Sequence, residues 1–195
     1  MNVPNRLTVS RFVLTVAFLA VMFAKPPYYE TIALALFSVA GITDFLDGKI
    51  ARRDNLITNF GVLMDPLADK IMVCSAFIAF VGCGWMPAWM VVIVVARELA
   101  ITGLRLLAAS KNLVLAAERF GKHKTISQIV AILALLVLHS YPQWGVLGAL
   151  FSFDIFRVPW VGWFAALSLY VAVTLTFTSG SIYLWRNRRL YLADL

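Results

Sequence analysis

Apolar residues run along this chain in six long stretches separated by short polar ones, and the pattern predicts helices over 7–24, 31–52, 61–83, 87–109, 123–141 and 157–185. Each can cross a hydrocarbon layer of about 30 Å, some with tilt or help from neighbours. No internal repeat, low-complexity tract or linker divides them, so residues 1–195 read as one domain. The composition agrees. Of 195 residues 62% are hydrophobic and 14% charged, with a mean hydropathy of +0.85. These values exclude an ordinary soluble domain and predict an all-α integral membrane protein. No cleavable signal peptide is expected, because Asn2, Pro4, Asn5 and Arg6 precede the first run and no small-residue cleavage site follows it.

Charge adds an orientation. Arg6 and Arg11, Lys49, Arg52 and Arg53, Lys111, Arg119, Lys122 and Lys124, and Arg186, Arg188 and Arg189 gather at one set of segment ends. The opposite ends carry only Lys25 and Arg157. The positive-inside rule then places both termini in the cytoplasm. A formal charge of +7 distributed in this way suits anionic lipid headgroups and does not suggest a nucleic-acid partner. Trp85, Trp89, Tyr141, Trp144, Trp160 and Trp163 fall near the outer ends as an interfacial belt. Cys74 and Cys83 share one apolar segment, about 13 Å apart if it is helical, too far for a disulfide.

Candidate chemistry lies in the second and third segments. Asp44-x-x-Asp47-Gly48-x-x-Ala51-Arg52 is followed, eight residues later, by Gly61-x-x-x-Asp65-x-x-x-Asp69. At about 100° per residue, Asp44, Asp47, Gly48 and Ala51 share one helical face, and Gly61, Asp65 and Asp69 share another. An antiparallel hairpin brings Asp44 level with Asp69 and Asp47 level with Asp65. Four carboxylates converging in a low-dielectric setting repel one another strongly. Divalent cations, Mg²⁺ or Mn²⁺, are the expected neutralisers because they take hard oxygen ligands. Gly48, Ala51 and Gly61 leave the same faces bare for a ligand. Any one Asp could instead be a solvated cap, or pair with Lys49, Arg52 or Lys70. At about 12 Å inside the helix ends, the cluster predicts a polar pocket dipping into the membrane from the cytoplasmic side. Pro66 leaves two readings of the third segment: a start at Pro66 with Asp65 as cap, or a helix from about Gly61 that kinks at the proline.

This pattern, with eight fixed residues over 26 positions, resembles the signature of the CDP-alcohol phosphotransferase family. The resemblance implies attack by an alcohol hydroxyl on the phosphorus of a CDP-linked lipid, releasing CMP, with two divalent ions bound. It implies Asp44, Asp47 and Asp65 as metal ligands and Asp69 as general base or further ligand. Asp44, Gly48, Ala51, Arg52 and Gly61 would contact the cytidine nucleotide. It also implies a homodimer in the bacterial inner (cytoplasmic) membrane, with membrane lipids around it.

Three further stretches bear on the acceptor. Segment four holds Arg97, Glu98 and Arg105 in apolar surroundings, with Arg97 about 18 Å from the cytoplasmic end. These charges form an internal ion pair, or Arg105, with or without Arg97, binds an anion through its planar donor fork. Next, Glu118-Arg119-Phe120-Gly121-Lys122-His123-Lys124-Thr125-x-x-Gln128 opens segment five. It reads as an ordinary positive-inside loop or as an anion site at a helix start. Lys122 and Lys124 are expected to be solvent-exposed, as is His123, while His139 belongs at the outer interface. Asn2 to Arg11 reads as a juxtamembrane anchor, with Arg6 and Arg11 snorkelling to headgroups, or as a short interfacial element at the pocket mouth. All three stretches resemble the phosphatidylglycerophosphate synthase branch of the family. That branch uses CDP-diacylglycerol and glycerol 3-phosphate, and would place the acceptor phosphate on Arg97, Arg105, Lys122 and Lys124. Inositol phosphate, serine or choline as acceptor stays open. A cation transporter would account for the four aspartates but not for the glycines beside them or the basic loop.

Overall fold

The computed structural model describes residues 3–53, 59–111, 113, 115 and 120–192, with the side chains of 3–7, 45–53, 59–60, 62–63 and 120–122 excepted. Six long helices dominate it: α1 (Val3–Ala24), α2 (Tyr29–Arg53), α3 (Asn59–Gly82), α4 (Ala88–Ser110), α5 (Phe120–Ser140) and α6 (Trp160–Arg186). A short α7 (Arg188–Leu192) follows α6. A 3-10 stretch (Tyr141–Leu150) and a two-stranded hairpin, β1 (Asp154–Ile155) with β2 (Val158–Pro159), join α5 to α6.

Helix positions follow the apolar pattern closely, with two informative departures. α1 begins at Val3, so Asn5 to Arg11 is the first part of the first helix and not a separate interfacial element. α3 begins at Asn59 and carries Pro66 inside it, so the helix passes through the proline and Asp65 is not its cap. The turns have simple causes. Gly84 adopts a positive φ of 75° after α3, a conformation open to glycine without strain, and Pro87 precedes the first residue of α4.

The helices neighbour one another in the order α1, α2, α5, α6, α4, α3 and back to α1, and α3 also touches α5 across the ring. α3 therefore lies at the centre together with α5. The inward face of α3 alternates small and large residues, with Ala76, Phe77, Ala79 and Phe80 all fully buried and the two rings edge to face at 6.4 Å. They meet Phe18 and Met22 of α1, Phe37 of α2, Met90 and Val94 of α4, and Ile132 and Leu136 of α5. The outward faces are apolar too: Val13, Val16, Ile42, Val92, Leu99, Leu106, Leu167 and Phe177 are all exposed. Helices apolar all round belong in a membrane. His123–Leu150 and Trp160–Arg186 are long and apolar enough to cross one, and Thr8–Ala24 is a shorter apolar helix. At the end away from the aspartates, Trp144 donates to Thr31 at 3.1 Å, Trp163 to the Ile155 carbonyl at 2.9 Å, and Trp85 stacks on His139 at 3.8 Å.

Where both faces are apolar, packing and not water exclusion holds helices together. Phe77→Ala removes the ring at the centre and should lower stability by about 3 kcal/mol, the low end for a buried phenylalanine, since the cavity persists while the transfer gain shrinks. Thermal unfolding in detergent checks it, with the surface variant Val92→Ala expected to move little.

Candidate active site

α1, α2 and α3 meet at the end where α1 begins and α2 finishes, and a guanidinium lies at the junction. Arg11 Nη1 donates to Asp44 Oδ1 of α2 and to Asp69 Oδ1 of α3, while Nη2 donates to Asp65 Oδ1 at 3.2 Å. Thr8, one turn before Arg11, donates to the same Asp65 oxygen at 2.6 Å. Arg11 has 1% of its side chain exposed, whereas Asp44, Asp65 and Asp69 keep 43%, 46% and 43%. The cation forms the floor and the three carboxylates form a rim that opens outward. Gly61 is buried on α3, one helical turn before Asp65. Asp47, Gly48, Ala51 and Arg52 lie on the backbone of α2, and their side chains are outside the described residues.

Sequence reading left Thr8 and Arg11 between a juxtamembrane anchor, with Arg11 snorkelling to headgroups, and an element at the pocket mouth. The Arg11 side chain does not snorkel: it is buried beneath the aspartates, beside Thr8. A signal existed: Thr8, Arg11 and Thr15 occupy one face of the first helix. Lys70, considered as an aspartate partner, instead donates to Thr102 of α4.

A second buried cluster lies on α4 and α5. Glu98 (7% exposed) accepts from Lys124 (5%) and from Arg97 at 3.1 Å. The internal Arg97–Glu98 pair is therefore present, and Lys124 is buried in it and not solvent-exposed as expected. Thr102 links the clusters: it accepts from Lys70, the residue after Asp69, and donates to the Glu98 carbonyl at 2.7 Å. Deeper along α5, Gln128 donates to Thr176 of α6 at 2.9 Å. Arg105 is exposed, with Nε 3.5 Å from the Tyr183 hydroxyl and its guanidinium 5.8 Å from the ring centre. The structure thus groups Arg97 with Lys124 and sets Arg105 of α4 apart, against Tyr183 of α6, and the Lys122 side chain is outside the described residues. His123 is exposed, and Cys74 and Cys83 are free thiols.

The family model for CDP-alcohol phosphatidyltransferases matches residues 1–178. This chain belongs to that family. It is similar to a Bacillus subtilis (strain 168) protein named CDP-diacylglycerol--glycerol-3-phosphate 3-phosphatidyltransferase, 40% identical over 198 residues that cover 95% of each chain. A Mycobacterium tuberculosis (strain H37Rv) protein named probable phosphatidylglycerophosphate synthase is 40% identical over 134 residues, 67% of this chain and 64% of that one. A Rickettsia bellii relative with the same name as the Bacillus protein is 34% identical over 139 residues, 71% of this chain and 76% of its own. In a CDP-alcohol phosphatidyltransferase the carboxylate rim is the natural place to look for divalent metal. Among the described residues no three acidic, His or Cys side chains are spaced to hold an ion in this conformation. The donor set nonetheless fits a divalent ion. It is made of carboxylate oxygens, and Asp44 and Asp69 already reach one common atom, Arg11 Nη1.

Arg97 is held from behind by a glycine. A Cβ on Gly180 of α6 would lie 2.6 Å from Arg97 Cγ, near the fixed end of that side chain. Gly180→Ala should therefore push Arg97 off Glu98. Overpacking of about 1–3 kcal/mol outweighs the roughly 1 kcal/mol alanine gains in a helix. Gly103→Ala on α4, where nothing lies within 4 Å, keeps the gain alone. The two variants should shift the thermal midpoint in opposite directions.

Proposed function

We propose that this protein transfers the phosphatidyl group of CDP-diacylglycerol to glycerol 3-phosphate, giving phosphatidylglycerophosphate and CMP. The observation that carries the reading is the convergence of Asp44, Asp65 and Asp69 from two helices on one point, in a family member similar over 95% of its length to a protein named for that reaction. The chain sits in the bacterial cytoplasmic membrane with six helices across it. The carboxylate rim and both termini face the cytoplasm, the side to which the Lys and Arg clusters point.

The acceptor hydroxyl oxygen attacks the phosphorus that carries diacylglycerol. A new P–O bond forms, the P–O bond to CMP breaks, and CMP leaves with the electron pair. Asp69 takes the hydroxyl proton, since it stands on the open rim and is the carboxylate furthest along α3. Asp44, Asp47 and Asp65 would hold two divalent ions, with Asp69 as base or further ligand, and the ions would supply positive charge against the pyrophosphate and the transferring group. Gly48, Ala51, Arg52 and Gly61 contact the cytidine nucleotide, and small residues there let it approach the backbone. The diacylglycerol tails remain among the lipids.

Arg97, Arg105, Lys122 and Lys124 bind the acceptor's phosphate. What supports this is the charge of the second cluster. Two cations share one carboxylate, leaving a net positive charge largely out of water, an arrangement that a visiting anion relieves.

CMP release in detergent from CDP-diacylglycerol, with glycerol 3-phosphate, inositol phosphate, serine and choline offered in turn, tests the reading. Turnover with glycerol 3-phosphate alone is expected, and preference for another acceptor overturns it. Asp65→Asn should abolish turnover while the protein still inserts and folds, because the cluster loses one unit of repulsion along with one ligand. Near-normal turnover in that variant would remove Asp65 from the site.

Arg105→Ala should raise the KM for glycerol 3-phosphate by roughly ten- to a hundredfold, the loss of one charge-assisted hydrogen bond to a doubly charged phosphate. The KM for CDP-diacylglycerol should barely change. Equal effects on both substrates would leave Arg105 a topological and packing residue against Tyr183.

A further inference from the structure

We propose that Arg11 is the internal counter-cation of the carboxylate rim, holding Asp44, Asp65 and Asp69 together when no divalent ion is bound and competing with such an ion for Asp44 and Asp69. The inference rests on the metal-centre reading above and adds a residue and a competition to it. Three features of the structure lead there. The first is position: one nitrogen, Nη1, meets oxygens of both Asp44 and Asp69, and so occupies the place an ion shared by those carboxylates would take. The second is burial. The guanidinium has almost no exposure while its three partners are nearly half exposed, so it approaches from below and leaves the outer side of the rim open to an incoming ion. The third is redundancy. Asp65 also accepts from Thr8, so one carboxylate keeps a neutral donor however the guanidinium moves.

Charge gives the competition its sign. Three carboxylates against one guanidinium leave the described cluster negative, so a divalent ion is still attracted. A guanidinium and a divalent ion in contact with the same two oxygens repel each other at short range. Binding one therefore loosens the other. The planar fork also matters, because Nη1 and Nη2 engage three carboxylates on two helices at once, which a single ammonium does less well.

The test uses wild type, Arg11→Met and Arg11→Lys, purified in detergent and stripped by chelator. Mn²⁺ affinity is read from the spin-resonance signal of free Mn²⁺, and thermal midpoints are taken without metal and with saturating Mn²⁺. Arg11→Met should bind Mn²⁺ about tenfold tighter or more, because both the competitor and its repulsion are gone. Its metal-free midpoint should fall by several degrees, with Mn²⁺ closing the gap to wild type. Arg11→Lys keeps the charge and carries the test if the methionine variant does not fold. It should bind Mn²⁺ severalfold tighter than wild type, with a midpoint between the other two. Normal Mn²⁺ binding by wild type with unchanged or weaker binding in the variants overturns the proposal and leaves the metal centre standing. No Mn²⁺ binding by wild type overturns both.

Discussion

Like charges cannot be gathered in a poorly solvated place unless something of opposite sign stands among them. In this protein that something is Arg11. Its contacts with Asp44, Asp65 and Asp69 join α1 to α2 and α3, at the one end of the bundle where helix packing alone would leave anions facing each other. The apolar core supplies the scaffold, centred on Phe77 and Phe80 of α3. It fixes where the carboxylates stand but does nothing to make their proximity tolerable. That division leaves an apolar half held by packing and a polar half held by the positive charge among its carboxylates.

The sequence made the helices legible because long apolar runs mark length and hydropathy together, and the six expected helices fall within a few residues of α1 to α6; among the described residues His123–Leu150 and Trp160–Arg186 are long and apolar enough to cross a membrane. Spacing placed Asp44 and Asp69 level, and the two do meet on one atom. Pro66 alone allowed a helix end or a helix carried through it, the shared face of Gly61, Asp65 and Asp69 needed the second, and α3 does run through the proline. Arg11 stayed open between two positions for a related reason. A long cationic side chain near a helix start can reach outward to headgroups or inward to an acid, and the residues around it are the same in both cases. Lys124 shows the same limit, because a basic run at a segment end gives no sign that one of its members has a buried glutamate to meet.

The two polar clusters are built on different principles. The carboxylate rim has an excess of acid and opens outward. The Arg97–Glu98–Lys124 cluster has an excess of base and is closed over by α6, with Gly180 leaving room for the Arg97 stem. Between them Lys70 and Thr102 form a short polar bridge from α3 to α4. Opposite charge excesses set side by side make an electric field across the intervening space, and a substrate whose two ends differ in charge would be oriented by it before any specific contact formed.

The ring order of the helices has a consequence for biosynthesis. Arg11, Asp44, Asp65 and Asp69 all belong to the first three helices, and those helices are mutual neighbours through α1. Gly180, which seats Arg97, comes more than a hundred residues later. At translation rates of about 5–20 residues per second, the interval is on the order of ten seconds. The carboxylate cluster emerges as a unit long before the Arg97–Glu98–Lys124 cluster can close, and through that interval the nascent chain carries its own cation for the aspartates.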